Sequence, residues 1–379
     1  MTETSNTSLS DDNVSSLLAD CFSDTYAQAR QRFLAAAGDL NHSIQSHVHP
    51  DRRGAQGEAL TIDVLRLGRR DARRLLIISS GVHGVEGFCG SGCQVALLHD
   101  AELRQRIDAS EVAVLLIHAV NPFGFSWMRR VNEDNIDLNR NFIDFEAAPP
   151  NPAYGPLDAL LIPASWPPDT QNTHAIESFI SEFGLRAFQE AVGDGQSSHP
   201  KGMFYRGKQP AWSNRQLRAI IRAHGNMCTD IAWIDLHTGL GRYGHGEKIF
   251  SGQNDAMALA RARACWGADV VSPFAGESVA NTVIGHVASC LADECPQARN
   301  RLLALEFGTQ PLMQVLTALR AHHWLANQQQ VSEELRRQIN QSMREAFYGN
   351  TGEWRAMVSS QTRVAVIQAL NALSSDPST

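Results

Sequence analysis

The sequence predicts an α/β protein whose core is a mostly parallel sheet. Three observations carry that reading. Four short apolar runs, residues 75–80 (LLIISS), 112–119 (VAVLLIHA), 230–236 (DIAWIDL) and 301–307 (RLLALEF), have the near-continuous hydrophobicity of strands buried on both faces. Helical patterns separate them, as parallel pairing requires. Each run then gives way to small or polar residues, and ligand-bearing side chains of such sheets gather just past the strands' carboxyl ends.

With 379 residues, 43% of them hydrophobic, the chain can fill one large core or two domains. The pattern favours one α/β domain over residues 51–330. A helical extension at 1–50 precedes it, and helices at 331–379 pack on the same domain.

Residues 10–37 are amphipathic. Leu17, Leu18, Cys21, Phe22, Tyr26, Ala29 and Phe33 share a helical face, and Gly38 closes it. Residues 60–67 (LTIDVLRL) alternate apolar and polar, the mark of a half-exposed strand. The strand at 75–80 leads into His83 and Glu86, then a helix over 88–98 with Gly87, Gly90 and Gly92 crowded at its start. Those glycines do not spell the G-x-G-x-x-G of a dinucleotide site, so close backbone packing is their reading. The strand at 112–119 stops at Asn121-Pro122 and completes a right-handed parallel unit. Residues 146–171 are proline-rich and irregular. Helices are expected over 175–192 and 213–224, with a polar, aromatic-bearing loop at 197–213 between them. From Leu312 the chain is helical, and residues 374–379 (SSDPST) read as frayed.

The net charge of −7 and pI near 6.0 argue against nucleic acid or an anionic membrane as partner. No apolar segment approaches the roughly 20 residues of a membrane helix. The polar, acidic first residues carry no secretory pattern. Seven cysteines, at 21, 89, 93, 228, 265, 290 and 295, are an odd number in mostly apolar surroundings. Plain buried thiols in a reducing cytoplasm are expected.

Strand ends bring together His83 and Glu86, the pair Asn139-Arg140, His237, and Glu306. Two imidazoles and a carboxylate suit Zn²⁺ with a fourth position left for water, so His83, Glu86 and His237 are the expected ligands of one zinc per chain. Glu306 is the expected base for that water. Its place inside LLALEFG needs a reason, because unpaired buried charge is costly. Arg140 with Arg130 or Arg129 would stabilise an oxyanion and clamp a carboxylate. Asp137 would fix the tautomer of a ligand imidazole. The bland readings are a packing histidine at 83, a turn and surface arginine at 139–140, and an ion-pair partner at 306. Spacing and context weigh against each. His322-His323 reads as surface or packing, His245 and Glu247 as neighbours of the pocket on even terms, and Trp212 as undecided.

Taken together, H-x-x-E after a strand, DLNRNF at 137–142, a distant His and a late strand Glu resemble the zinc metallocarboxypeptidase family. The stretch GVHGVEGFCGSG is similar to its carboxypeptidase-like bacterial branch, related to succinylglutamate desuccinylase and aspartoacylase. The resemblance spans about residues 55 to 325. It implies a three-layer α/β/α fold around a mixed, mostly parallel sheet of eight strands. It also implies metal ligation by His83, Glu86 and His237, with Asp137 supporting His83. Arg130 (or Arg129) would serve an oxyanion, Asn139 and Arg140 a substrate carboxylate, and Glu306 the base. Digestive members carry a substrate-binding Tyr shortly before the base. Residues 279–300 contain none, which leaves His286 locally and Tyr205 or Tyr243 from elsewhere. The implied function is a metallocarboxypeptidase acting on short or modified peptides. An N-acyl-amino-acid deacylase, or a catalytically silent metal-binding protein, is the alternative. The partner is then a small peptide or N-acyl amino acid, and apolar faces on the C-terminal helices offer a route to a homo-oligomer.

Overall fold

The structure, a computed structural model, describes residues 18–40 and 42–375. Seven strands form one sheet: β1 (Ile44–Arg53), β2 (Ala59–Leu67), β3 (Arg74–Ser80), β4 (Val112–His118), β5 (Asp230–Tyr243), β6 (Gly246–Phe250) and β7 (Arg299–Gly308). Their order is β1-β2-β4-β3-β5-β7-β6. The four runs read as buried strands are the parallel centre, β4-β3-β5-β7. β1, β2 and β6 join by antiparallel ladders. Successive residues of β3 feed two separate cores: Leu76 and Ile78 belong to one, Leu75 and Ile77 to the other. That alternation gives a sheet covered by helices on both faces, the expected α/β class.

Among the described residues the sheet has seven strands, not the eight that the resemblance implied. β1 (IQSHVHPDRR) escaped notice because it is polar and mostly exposed, as suits an edge strand. It also means that residues 44–50, read as part of a helical extension, begin the sheet. The amphipathic pattern breaks at residues 22–25. Thr25 then caps the helix Tyr26–Gly38, its hydroxyl accepting from Gln28 N at 3.2 Å. Residues 10–17 of that pattern, and 376–379 at the other end, lie outside the described residues. The expected helix at 175–192 is two, Thr170–Phe183 and Leu185–Gly193. Gly184 between them has φ 89°, a left-handed conformation that no helix continues. The proline-rich excursion holds one short helix, Gly155–Leu161.

The last helix, Gly352–Ser375, buries Trp354, Val358, Val366, Leu370 and Leu373 in the larger core. The apolar face offered for pairing is therefore used within the chain. All seven cysteines are buried. Among the described residues, no helix is long and apolar enough to cross a membrane.

Candidate metal centre

His83 follows β3 and precedes a short 3₁₀ turn, Gly84–Glu86, that runs straight into the helix Gly87–His99. The turn is pinned to a neighbouring loop: Gly84 N donates to Arg130 O (3.2 Å) and Val85 N to Arg129 O (2.9 Å). This approach demands glycine. A Cβ on Gly84 would sit 1.9 Å from the Gly124 carbonyl carbon, and one on Gly90 2.7 Å from Ser80 Cβ. The close-packing reading of the glycines thus stands. On the adjacent strands, His237 of β5 and Glu306 of β7 are ladder partners.

His83, Glu86 and His237 are buried, with one ligand atom from each lying within 4.8 Å of the others. The Nδ1 atoms face Glu86: His83 at 2.8 Å from Oε1 and His237 at 2.9 Å from Oε2. The far nitrogens face two other carboxylates. His83 Nε2 lies 3.3 Å from Asp137, and His237 Nε2 2.6 Å from Asp235. With an ion bound, Asp235 would keep the proton on His237 Nε2, and Asp137 faces His83 Nε2 without a hydrogen bond, so both Nδ1 atoms are left for one ion. Asp235 is itself fixed by the Ser79 hydroxyl, which accepts from Trp233 Nε1 at 2.7 Å. Asp137 accepts from Arg130 Nε and from Asn139 N, each at 2.9 Å.

Charge makes the case for a cation. Glu86, Asp137, Asp235 and Glu306 are four buried carboxylates, while Arg130 and Arg140 are the guanidiniums that line the cavity among the described residues. Without an ion, a protonated His237 and a protonated Glu306 offset what the guanidiniums leave. A divalent ion held by neutral imidazoles, with Glu306 ionised, would take their place. Burial works against Glu86 ionising, but His83 and His237 outweigh it and hold its carboxyl well below the usual range. Asp137 is likewise held far down by Arg130 and Arg140 against its burial. Burial opposes a charge on His237, yet Asp235 and Glu86 raise it well above an ordinary histidine. Glu306 goes the other way: burial first, then the Glu86 charge, push it up to about 8. A cation in the site would draw it back down.

Most of the expected site residues meet in one cavity. Arg130 reaches within 3.6 Å of Glu86. Arg140, 5% exposed, donates to Gly193 O (2.7 Å) and Asn139 O (3.1 Å). Asn139 approaches His237 at 3.5 Å while its Oδ1 accepts from Val287 N. Glu306 Oε1 accepts from Leu240 N at 3.0 Å. His286 lines the cavity too, and burial drops it to about 4, leaving it neutral.

Two expectations fail. Arg129 does not line the cavity. Its guanidinium is buried on the other side of the segment, donating to Asn135 Oδ1 (3.0 Å) near His322 and His323, because consecutive side chains here diverge. Tyr205 is a core residue packed with Ile136 and Phe142, and only its backbone carbonyl serves the site, by accepting from Asp137 N. Phe204 takes the cavity position. It has a left-handed backbone (φ 52°), and its ring lies under Arg130 and Arg140 at 5.2 and 5.4 Å. His245 and Tyr243 are exposed and off the cavity, Trp212 packs on His49, and His322-His323 is buried packing. Asp235 was the missed residue. Its signal was present, two positions before His237 and so on the same strand face.

A buried His–Glu–His cluster at parallel strand ends, with a further carboxylate in the same cavity, defines an α/β protein with a candidate metal centre. The chain belongs to the family described as "Protein of unknown function (DUF2817)", whose model matches residues 22–361. No curated protein matches its sequence. Solved structures it resembles include a carboxypeptidase A, a metallo-carboxypeptidase and a protein described as a "putative metallopeptidase". It is similar to bovine thrombin-activatable fibrinolysis inhibitor, at 11% identity and TM-score 0.49, over 94% of this chain and 98% of that one. For carboxypeptidase A from Helicoverpa armigera the identity is 14% and the TM-score 0.43, over 91% of this chain and 74% of that one. For a metallo-carboxypeptidase from Burkholderia cenocepacia the values are 13% and 0.41, over 90% and 68%. At this distance the likeness is one of layout, and the chemistry rests on this chain's own residues.

Proposed function

We propose that this protein is a zinc-dependent hydrolase of an amide bond beside a free carboxylate, in the first instance a metallocarboxypeptidase for short or modified peptides. The observation that carries the reading is the buried excess of carboxylate around three convergent donors, with Glu306 in the same cavity. His83, Glu86 and His237 would hold the ion, the donor set of a catalytic zinc site with an open position. Bound zinc would supply Lewis acidity and a water that ionises near neutral pH.

The chain does the rest. Glu306 accepts a proton from the attacking water and returns it to the nitrogen as the C–N bond breaks, giving an acid and an amine. Arg130 donates to the oxygen that gains charge. Arg140, fixed by two backbone carbonyls, and Asn139 receive the substrate carboxylate. Asp137 and Asp235 keep the imidazoles oriented.

The same set serves an N-acyl-amino-acid deacylase, and the apolar outer wall of the cavity keeps that second reading in view. A silent binding protein would have no use for Glu306 at this position. The test is zinc content and turnover in wild type, His83→Ala and Glu306→Gln, with carboxyl-terminal amides and N-acyl amino acids as substrates. One zinc per chain, lost in His83→Ala and kept by an inactive Glu306→Gln, is the expected outcome. A fully active Glu306→Gln, or folded wild type that takes up no metal, overturns it.

A further inference from the structure

The cavity, about 230 Å³, has two chemically different ends. The inner end carries the histidines, carboxylates and guanidiniums already described. Away from these, at the outer end, apolar side chains dominate the lining, Phe188 and Val192 of the helix Leu185–Gly193, Leu316 of the helix Leu312–Ala326 and Ile249 of β6, with the uncharged Gln189, Ser251, Asn281 and Thr282 between them. Around its mouth Leu185, Phe274, Val279 and Met313 stand 39–43% exposed. Single exposed hydrophobes are ordinary, but four converging on one mouth mark a binding surface. Glu247 fixes part of that mouth, its Oε1 accepting from Ser278 Oγ (2.7 Å) and Val279 N (3.0 Å). Among the described residues, no Asp, Glu, Lys or Arg lines the outer end. A charged substrate group placed there would lose water and find no counter-charge.

We propose that the substrate carries an extended apolar group, an aliphatic acyl chain or a bulky apolar side chain, seated in this outer end. The inference rests on the hydrolase reading and narrows its substrate class. At about 30 Å³ per water-sized group, the whole cavity, polar end included, holds about seven groups, which the reacting amide and carboxylate share with the apolar chain. Each methylene buried should tighten binding about fourfold.

The experiment uses two substrate series. N-acylglycines from acetyl to octanoyl probe an acyl chain, and N-acetyl-Gly, -Leu and -Phe probe a side chain. Turnover is read with the zinc-loaded wild type, and binding by calorimetry with zinc-loaded Glu306→Gln. A rise in kcat/KM and affinity of about fourfold per methylene in one series is expected, and it identifies the source of the apolar group. Met313→Asp and Leu185→Asp, at exposed positions and checked by thermal melting, should flatten that rise. Flat or falling profiles in both series overturn the inference, as does a preference for N-acetyl-Asp or N-acetyl-Lys. Hydrolysis with a flat profile would sink the apolar seat alone. Graded binding with no hydrolysis of any member would sink the hydrolase reading alone.

Discussion

The two ends of the parallel strands use the same residue types to opposite effect. β5 carries two aspartates, Asp230 at its amino end and Asp235 beside the site. At the amino end, Asp230 meets Arg299 Nε at 2.8 Å and Arg301 at 3.3 Å, and Arg74 lies 3.8 Å from Glu111. Guanidiniums there outnumber the carboxylates, and Glu111 is 81% exposed, so water screens what remains. At the carboxyl end, Asp235 has no guanidinium of its own. It faces His237, within a group of four buried carboxylates and two guanidiniums. Self-neutralised charge in partial contact with water is a structural device. Buried carboxylates that are offset only by protons on His237 and Glu306, or by a bound cation, can exchange one for the other, and that difference separates the site from the scaffold.

The largest expected effect lies at the carboxyl end. Glu306→Gln should lower kcat by about 10²–10⁴, the usual contribution of a positioned base, while zinc content stays at one per chain. Steady-state kinetics paired with elemental analysis checks both halves. Loss of zinc along with activity would make Glu306 part of the charge balance rather than a base. Next comes Asp137→Asn, which removes the carboxylate behind His83. Zinc affinity in a competition titration should fall about 10–100-fold. Asp230→Asn, the control at the paired end, should leave that affinity where it was. Equal losses from the two substitutions would erase the distinction between the ends.

The carboxyl end was also the more legible in sequence. His83, Glu86, His237 and Glu306 are short-range signals, because each sits at the end of an apolar run whose direction fixes where its side chain emerges. The four central strands were legible for the same reason. Side-chain direction in irregular backbone was not. Arg129 and Arg130 were interchangeable on paper, and only the pinning of their carbonyls by Gly84 and Val85 decides which one enters the cavity. Tyr205 lost its place to Phe204 through one left-handed residue. The edge strand β1 carries no apolar pattern because half of an edge strand's environment is water.

A third histidine at a carboxyl end sharpens the contrast. His118 ends β4 with no carboxylate hydrogen-bonded to it. It contacts the Ser91 hydroxyl at 2.8 Å, stacks on Phe33, and burial drops it to about 4. Burial likewise takes His322 and His323 to about 3 and about 4. Unfolded histidines titrate near 6.5, so between that pH and about 4 the unfolded chain binds protons that the fold refuses. Stability should therefore fall as pH drops through this window, by on the order of 3 kcal/mol for each such histidine. Urea midpoints against pH read the slope, and His118→Gln should reduce it by about one proton's worth. An unchanged slope in the variant would place the acid sensitivity elsewhere, first of all in His322 and His323.

The smallest effect belongs to the paired end. Arg299 is 46% exposed on its side chain, whereas Asp230 is 7% exposed and also held by Arg301. Arg299→Ala removes one screened partner and leaves the other, so about 0.2–1 kcal/mol is expected, a melting shift under about 2 °C. Zinc content and turnover should not move. A large loss of stability would mean that Asp230 depends on Arg299 as much as Asp235 depends on His237. The amino ends of the strands would then be as finely balanced as the carboxyl ends, and an excess of buried carboxylate would no longer single out the candidate metal centre.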